Sequence, residues 1–250
     1  MGYLYRVFRA TEEENRRAII ATLDRRAGAR LLDLGTHRGE FTMRVAERLG
    51  AASVHGVELL EEHAEVARSR GIEVCRADLD EGLPFEDGAF DVVHANQVIE
   101  HVKRLDHFVG EIRRVLVAGG LALVCTENLA SWHNVAALAL GYQPFSLTNV
   151  SAVRPIGNRF ALHAGEKPTH ESWQHVHVLT FAGLRDIFNA HGLEVEDSWG
   201  TGYYPLTQRL AGPMAARDPR HAHFIAVVAR APRALRRQRT AATAVGLRSR

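Results

Sequence analysis

Short apolar runs alternate with amphipathic segments between residues 30 and 126, and this alternation restricts the fold more than any other feature of the chain. The runs are apolar on both faces, which is typical of a parallel sheet covered by helices. The sequence therefore predicts a doubly wound α/β fold. The predicted strands are 30–34, 53–57, 72–76, 90–95, 120–126, 193–199 and 222–229, and the predicted helices are 11–26, 39–49, 60–70, 104–116 and 180–191. A Thr11-x-x-Glu14 capping signal sets the start of the first helix.

The composition is that of an ordinary globular chain, with 46% hydrophobic and 24% charged residues among 250. The length predicts a single domain at 1–230, and a net charge of +2 is too small to indicate a nucleic-acid or membrane partner. No apolar run approaches the roughly 18 residues of a transmembrane helix, and the first residues lack the apolar core of a signal peptide. Cys75 and Cys125 lie in apolar runs, which indicates a reducing compartment, so we expect a cytoplasmic location.

Two stretches depart from the alternation. Residues 128–176 are rich in Asn, His, Trp, Pro and Gly and are too long for an ordinary connection. Their aromatic side chains favour ordered packing, so we interpret them as a lid-like insertion over a substrate site. Residues 231–250 hold six arginines and no acidic residue, which predicts a basic, disordered tail. A weak contact of these arginines with an anionic surface is the alternative.

The stretch 31–41, Leu-Leu-Asp-Leu-Gly-Thr-His-Arg-Gly-Glu-Phe, predicts a buried strand, a tight turn and the start of a helix. Gly35 and Gly39 bracket the turn after Asp33, with Thr36 and His37 between them. Glycine lets the backbone approach a ligand closely, and a helix N-terminus offers free N–H groups. In an open α/β sheet such a turn is where a nucleotide-like ligand binds.

Two acidic residues follow at the ends of the next two predicted strands. Glu58 stands 19 residues after Gly39 and, beside Leu59, can accept hydrogen bonds from ribose hydroxyls. Asp78 stands 20 residues after Glu58 and can accept from an adenine amino group, while Leu79 packs on the ring. Enzymes that use NAD and enzymes that use S-adenosylmethionine share these requirements, so the pattern predicts an adenosine-containing cofactor.

Three later stretches of the sequence distinguish between these two cofactors. They are Gly-Leu-Pro-Phe-Glu-Asp-Gly-Ala-Phe-Asp-Val-Val at 82–93, Val-Ile-Glu-His-Val at 98–102 and Glu-Ile-Arg-Arg-Val-Leu-Val-Ala-Gly-Gly at 111–120. In them the chain resembles the class I S-adenosylmethionine-dependent methyltransferases, within their broad small-molecule group. The resemblance implies a Rossmann-like, seven-stranded sheet whose last strand is antiparallel, and S-adenosylmethionine as the cofactor. It also implies that Cys75 and Cys125 lie too far apart to form a disulfide.

The resemblance assigns a role to each part of the site. Asp33 and Gly35 are expected beside the methionine moiety, and Asn96 and Gln97 facing the sulfonium and the acceptor. The complete implied cofactor site is Asp33, Gly35, Thr36, His37, Gly39, Glu58, Leu59, Asp78, Leu79, Asn96 and Gln97. The chain departs from the family pattern at His37, where a glycine is usual, and at Ala118, where a proline is usual.

Histidines near the expected acceptor site suggest the chemistry. A hydroxyl acceptor must lose its proton during attack, most often to His, Asp or Glu. His101 and His175 are the candidate bases, and a purely structural role is the alternative for each. His133, His163, His170 and His177 also fall in or beside the insertion, and this crowding favours methylation of oxygen. A His175-x-His177 site completed by Glu171 is loosely spaced for a metal, so no metal is predicted.

The predicted function is therefore S-adenosylmethionine-dependent methylation of a small-molecule or glycan-type acceptor. Asn96-Gln-Val-Ile lacks the Asn/Asp-Pro-Pro-aromatic motif used to methylate nucleic-acid amino groups, so no nucleic-acid substrate is expected. An NAD(P)-dependent oxidoreductase is disfavoured because neither Lys103 nor Lys167 has a tyrosine four residues before it. A non-catalytic, cofactor-binding regulatory or partner protein with the same fold is the remaining alternative, suggested by His37.

Overall fold

The computed structural model describes residues 2–162, 164, 170 and 173–233, and within them seven strands form one sheet. The strands are β1 (Arg30–Leu34), β2 (Ser53–Glu58), β3 (Glu73–Arg76), β4 (Phe90–Asn96), β5 (Leu116–Glu127), β6 (Glu194–Thr201) and β7 (Phe224–Arg230). Their order across the sheet is β3-β2-β1-β4-β5-β7-β6. β7 runs antiparallel to both of its neighbours, and the other paired strands are parallel. The predicted fold is thus confirmed, and Cys75 and Cys125 are free thiols.

Helices cover both faces of the sheet. They are α1 (Tyr3–Thr22), α2 (Glu40–Leu49), α3 (Glu61–Ser69), α4 (Leu105–Val115), α5 (Trp132–Ala139), α6 (Phe181–Ala190) and α7 (Gln208–Arg217). Within β1, Leu32 packs into the layer of α4 and α6, and Leu31 packs into the layer of α1 and α2. This two-sided burial explains why the strands are apolar on both faces.

The first helix differs from its prediction. It begins at Tyr3, and Thr11 lies inside it, where the Thr11 hydroxyl donates to the carbonyl of Val7 at 2.9 Å. The capping interpretation is therefore wrong, because a buried threonine inside a helix can satisfy its hydroxyl within the preceding turn. The buried stripe of α1 includes two polar residues, Thr11 and Asn15, which hid its length from a search for apolar periodicity.

The segment that follows β5 begins with a network of buried hydrogen bonds. The Asn134 amide donates to the carbonyl of Asn128 and to the hydroxyl of Ser146, both at 2.9 Å. This buried network joins α5 to a 3-10 helix at Phe145–Leu147. Most of the predicted basic tail, residues 234–250, lies outside the described residues. None of the helices in the described part of the chain has the length and apolarity that crossing a bilayer requires.

The turn between β1 and α2 depends on Gly39. Its φ is +81°, and an added Cβ would lie 2.6 Å from Ile72 Cδ1 and 3.2 Å from the backbone of Ala67. Gly28 has a similar φ of +84° but open space around the same position. We expect Gly39→Ala to lower the free energy of unfolding by about 2–4 kcal/mol, from backbone strain plus overpacking. Gly28→Ala, which adds strain alone, should cost about 1–2 kcal/mol.

Urea unfolding of the two variants beside the parent chain measures the difference. Equal losses for both variants would show that the packing of Gly39 against Ile72 and Ala67 contributes nothing.

Candidate active site

A cavity of about 1040 Å³ opens where the strands β1, β2 and β4 end. This is at the upper end of the range for small-molecule sites, about 300–1,000 Å³. It brings together ten of the eleven predicted cofactor residues and His101. Gly39 and His175 do not line it. The predicted strand-end residues therefore converge on one cleft large enough for a cofactor and an acceptor together.

Asp33 lies beneath the first turn and is buried. One carboxylate oxygen is 2.6 Å from His94 Nδ1, and the other accepts a hydrogen bond from the Thr42 hydroxyl. The Thr36 hydroxyl donates to the Asp33 carbonyl at 2.9 Å. Both carboxylate oxygens of Asp33 are thus hydrogen-bonded to side chains of the protein, so this residue fixes the shape of the turn.

His94 was missed by the sequence analysis. It is 2% exposed and lines the cavity, and its Nε2 has no hydrogen-bond partner among the described residues. A buried polar atom without a partner is uncommon and is satisfied when a ligand supplies one. Asp33 and His94 are directly paired across β1 and β4, a signal that appears only once those strands are known to be neighbours. This unpaired atom fits a cavity that receives a polar ligand.

Glu58 connects the turn after β1 to the turn after β2. Its carboxylate accepts the backbone N–H of His37 at 2.8 Å and that of Leu60 at 3.0 Å. His37 has a φ of +51°, uncommon for a residue with a Cβ, and its ring packs 4.1 Å from that of His63. Burial, followed by the neighbouring His63, lowers the pKa of His37. An uncharged imidazole therefore faces the cavity at neutral pH.

Asp78 and Leu79 lie on the opposite wall of the cavity, after β3. The Asp78 side chain is exposed, and one of its oxygens accepts the backbone N–H of Asp80 at 2.9 Å. Its second oxygen has no bond in the described structure, so a donor from a ligand can reach it. The carboxylates that follow β2 and β3 therefore offer hydrogen-bond acceptors to a polar ligand in this cavity.

The helix α1 forms part of the wall, which the sequence analysis did not foresee. The Asn15 amide donates to Asn96 Oδ1 at 3.1 Å, and the Cys125 thiol donates to Asn15 Oδ1 at 3.2 Å. Gln97 has a φ of +59°, and its backbone N–H donates to the Cys125 carbonyl at 2.8 Å. These bonds hold the end of β4, where Asn96 and Gln97 face the cavity.

His101 and His175 lie side by side, with ring centroids 4.7 Å apart, but in different settings. His101 lines the cavity, and its Nδ1 donates to the Gln174 carbonyl at 3.0 Å, which leaves Nε2 as a proton acceptor. His175 lies behind it and donates from Nδ1 to the Ser146 carbonyl at 2.7 Å. The geometry therefore suits His101 to a role at the reacting atom and His175 to a supporting one.

The remaining histidines of the insertion are dispersed. His177 contacts the Lys103 carbonyl at 3.2 Å, away from His175, so the two do not form a His-x-His metal site. His170 lines the cavity, and His163 and Glu171 lie outside the described residues. A different group, Glu100, His101 and His175, has donor atoms within 4.8 Å of one another and could hold a divalent cation. The sequence prediction of no metal therefore stays a prediction.

Residues 32–124 match the family described as the methyltransferase domain. A solved S-adenosylmethionine-dependent methyltransferase from Mesorhizobium loti superposes with a TM-score of 0.58 at 22% identity, covering 88% of this chain and 97% of that one. Residues 32–124 therefore carry a methyltransferase domain. A methyltransferase from Haloferax volcanii, solved with the Trm112 activator, has the same fold, with a TM-score of 0.61 at 19% identity over 90% of this chain and 93% of that one.

Curated relatives match part of this chain and part of their own length. The ubiquinone biosynthesis O-methyltransferase of Chelativorans sp. (strain BNC1) is 30% identical over 187 residues, 73% of this chain and 65% of the relative. The demethylmenaquinone methyltransferase of Thermus thermophilus is 35% identical over 114 residues, 44% of this chain and 51% of the relative. The chain thus spans about two-thirds or less of the length of these relatives.

Glu100 makes the stability of the folded chain depend on pH. It is 1% exposed and accepts a hydrogen bond from the Thr126 hydroxyl at 2.8 Å, and burial raises its pKa from 4.5 to about 7. Between about pH 4.5 and about 7 the folded state keeps a proton that the unfolded state releases, so this residue's contribution to stability falls as the pH rises.

We expect Glu100→Gln to remove that decline. The difference in free energy of unfolding between the variant and the parent chain should move in favour of the variant by about 3 kcal/mol from pH 4.5 to pH 8. Glu65→Gln, on the exposed face of α3, is the control and should leave the curve unchanged. Chemical unfolding at several pH values in this range measures the free energy of unfolding of each variant. Parallel plots of this free energy against pH for Glu100→Gln and the parent chain would contradict the buried, protonated carboxyl.

Proposed function

We propose that the chain transfers the methyl group of S-adenosylmethionine to an oxygen atom of a small-molecule acceptor, with His101 as the general base. The observation that carries this proposal is the position of His101 in the wall of the cavity that also contains Glu58 and Asp78. Its Nδ1 is committed to a carbonyl, so Nε2 is the atom that can take a proton. The bound cofactor supplies a methyl carbon activated by a sulfonium, and the protein must align the acceptor with it.

In this proposal Glu58 binds the ribose, and Asp78 and Leu79 bind the adenine. Asp33 shapes the turn beside the methionine moiety, and the end of β4 faces the sulfonium and the acceptor. The segment 128–176 acts as the substrate lid, supported by the presence of its residues His170, Trp173 and Gln174 in the cavity wall.

The preference for oxygen rests on His101 and on relatives. Burial lowers the pKa of His101, so the imidazole is unprotonated and able to accept a proton at neutral pH. Besides the ubiquinone O-methyltransferase, a 27-O-demethylrifamycin SV methyltransferase from Amycolatopsis mediterranei is 34% identical over 105 residues. A glycan-type acceptor is the alternative within the same chemistry. The free thiols of Cys75 and Cys125 are consistent with the proposed cytoplasmic location.

Calorimetric titration with S-adenosylmethionine and S-adenosylhomocysteine tests the cofactor site. We expect both to bind, and Asp78→Asn to weaken binding by about 1–3 kcal/mol, the scale of a hydrogen bond to a charged group. Asp186→Asn, exposed on α6, is the matched control and should bind as the parent does. Failure of the parent chain to bind either ligand would refute the methyltransferase proposal, and an unchanged Asp78→Asn would refute the adenine assignment alone.

Turnover tests the base. With S-adenosylmethionine labelled in its methyl group and a panel of phenols, alcohols, amines and glycans, we expect the label on oxygen. His101→Asn should lower kcat about 10²–10⁴-fold without changing cofactor affinity, as expected for a lost general base. The parent rate should fall as the pH drops below 6.5, because the lowered pKa of His101 places its protonation there.

His177→Asn, which removes a ring whose nitrogen lies 3.2 Å from the Lys103 carbonyl, is the control and should retain full turnover. Label on nitrogen or carbon, with His101→Asn fully active, would overturn the oxygen assignment. Cofactor binding without turnover on any acceptor would favour the non-catalytic alternative.

A further inference from the structure

A second, smaller cavity of about 50 Å³ has Glu127 in its wall, and Glu127 lies 3.9 Å from Nδ1 of His175. Five ring side chains and one carboxylate contribute to its wall: Phe8, His133, Phe145, Tyr204, His223 and Glu127. The rings of His133 and His223 are stacked, with centroids 4.7 Å apart, and Tyr204 lies 5.4 Å from His133. The cavity is thus a ring-lined box that contains a single carboxylate.

Among the described residues, no lysine or arginine forms an ion pair with the Glu127 carboxylate. Its side chain is 17% exposed, and the nearest cationic candidate is His175, whose Nδ1 is 3.9 Å away and donates to a different carbonyl. Burial by itself raises the pKa of Glu127, but the nearby His175 and His223 rings and the Ser146 hydroxyl outweigh it, so the net pKa is lowered and the carboxyl is ionised at neutral pH. None of the groups that most influence it is a lysine or an arginine. A largely buried carboxylate in this setting is stabilised by any cation that reaches it.

His223 supplies a second, independent sign of a missing ligand. It is 5% exposed, and neither of its ring nitrogens has a hydrogen-bond partner among the described residues. Burial lowers the pKa of both His223 and His133. Each is therefore a neutral imidazole with one nitrogen that can accept a hydrogen bond. The box consequently offers acceptors and ring faces to a donor that carries positive charge.

We propose that this box binds a cationic ammonium group of the methyl acceptor, with Glu127 and His223 accepting its N–H bonds and the rings facing its charge. The inference rests on the proposed function, because it concerns the acceptor of that reaction. A volume of about 50 Å³ accommodates a small head group and leaves the rest of the acceptor outside. A divalent metal fits less well, since it prefers several oxygen or nitrogen ligands to ring faces.

The position of the box explains how it would orient the reaction. His175 contacts one lining residue of each cavity, because its Nδ1 is 3.9 Å from Glu127 and its ring is in contact with that of His101. An acceptor anchored by its ammonium group at Glu127 would extend past His175 towards His101. The acceptor class is therefore a small molecule that carries an amine at one end and a hydroxyl group at the other.

Binding of matched probes to the protein saturated with S-adenosylhomocysteine tests the proposal. Tyramine carries an ammonium group and a phenol, and tyrosol replaces the ammonium with a neutral hydroxyl. By calorimetry or ligand-observed NMR we expect tyramine to bind about tenfold or more tightly than tyrosol, the range of a charge-assisted hydrogen bond. Glu127→Gln should remove this preference, and Glu194→Gln, exposed on the edge strand β6, should retain it.

A second variant keeps the test decisive if Glu127→Gln does not fold. His223→Phe preserves a ring and removes both nitrogens, and it should weaken tyramine several-fold while leaving tyrosol unchanged. Equal affinity of the parent for tyramine and tyrosol, or displacement of tyramine by excess Mg²⁺, would overturn the ammonium site. Loss of S-adenosylhomocysteine binding by the parent chain would instead refute the proposed function, so the two failures are distinguishable.

Discussion

The cofactor cleft depends on one buried carboxylate, that of Asp33. It joins three parts of the chain: its own strand β1, the helix α2 through Thr42, and the strand β4 through His94. The cleft opens between these elements at the carboxyl ends of the strands β1 and β4. A carboxylate that is buried with both oxygens hydrogen-bonded holds its neighbours in a fixed geometry, since leaving any of these groups unpaired away from water is costly.

The two halves of the cleft differ in how far the sequence predicts them. The residues at strand ends, such as Glu58 and Asp78, are predictable because an acidic residue that closes an apolar run is a local pattern. His94 and Asn15 are not, because their roles require knowing which strands are neighbours and how far α1 extends. Thr11 shows the same limit, since a polar residue in a buried helical stripe reads locally as a cap.

The acceptor side depends on contacts between residues distant in sequence. Glu127 ends β5, and His223 immediately precedes β7, nearly a hundred residues later. They meet because β7 is antiparallel to β5, so that the start of β7 lies beside the end of β5. A histidine before an apolar run carries no local sign of this partner. The choice of His101 over His175 as the proposed base likewise depends on contacts that the sequence does not reveal: which of the two rings lines the cavity, and which carbonyl accepts a hydrogen bond from each.

The two proposed binding sites draw on successive parts of the chain. The residues proposed for the cofactor, apart from the contribution of α1, lie between Asp33 and His101, whereas the ring-lined box draws all but Phe8 from Glu127 onwards. With these proposed assignments, substitutions in the later stretch change which molecule is accepted while the earlier stretch continues to bind the same cofactor. In a chain arranged in this way, the acceptor can change while the residues proposed to bind the cofactor stay the same.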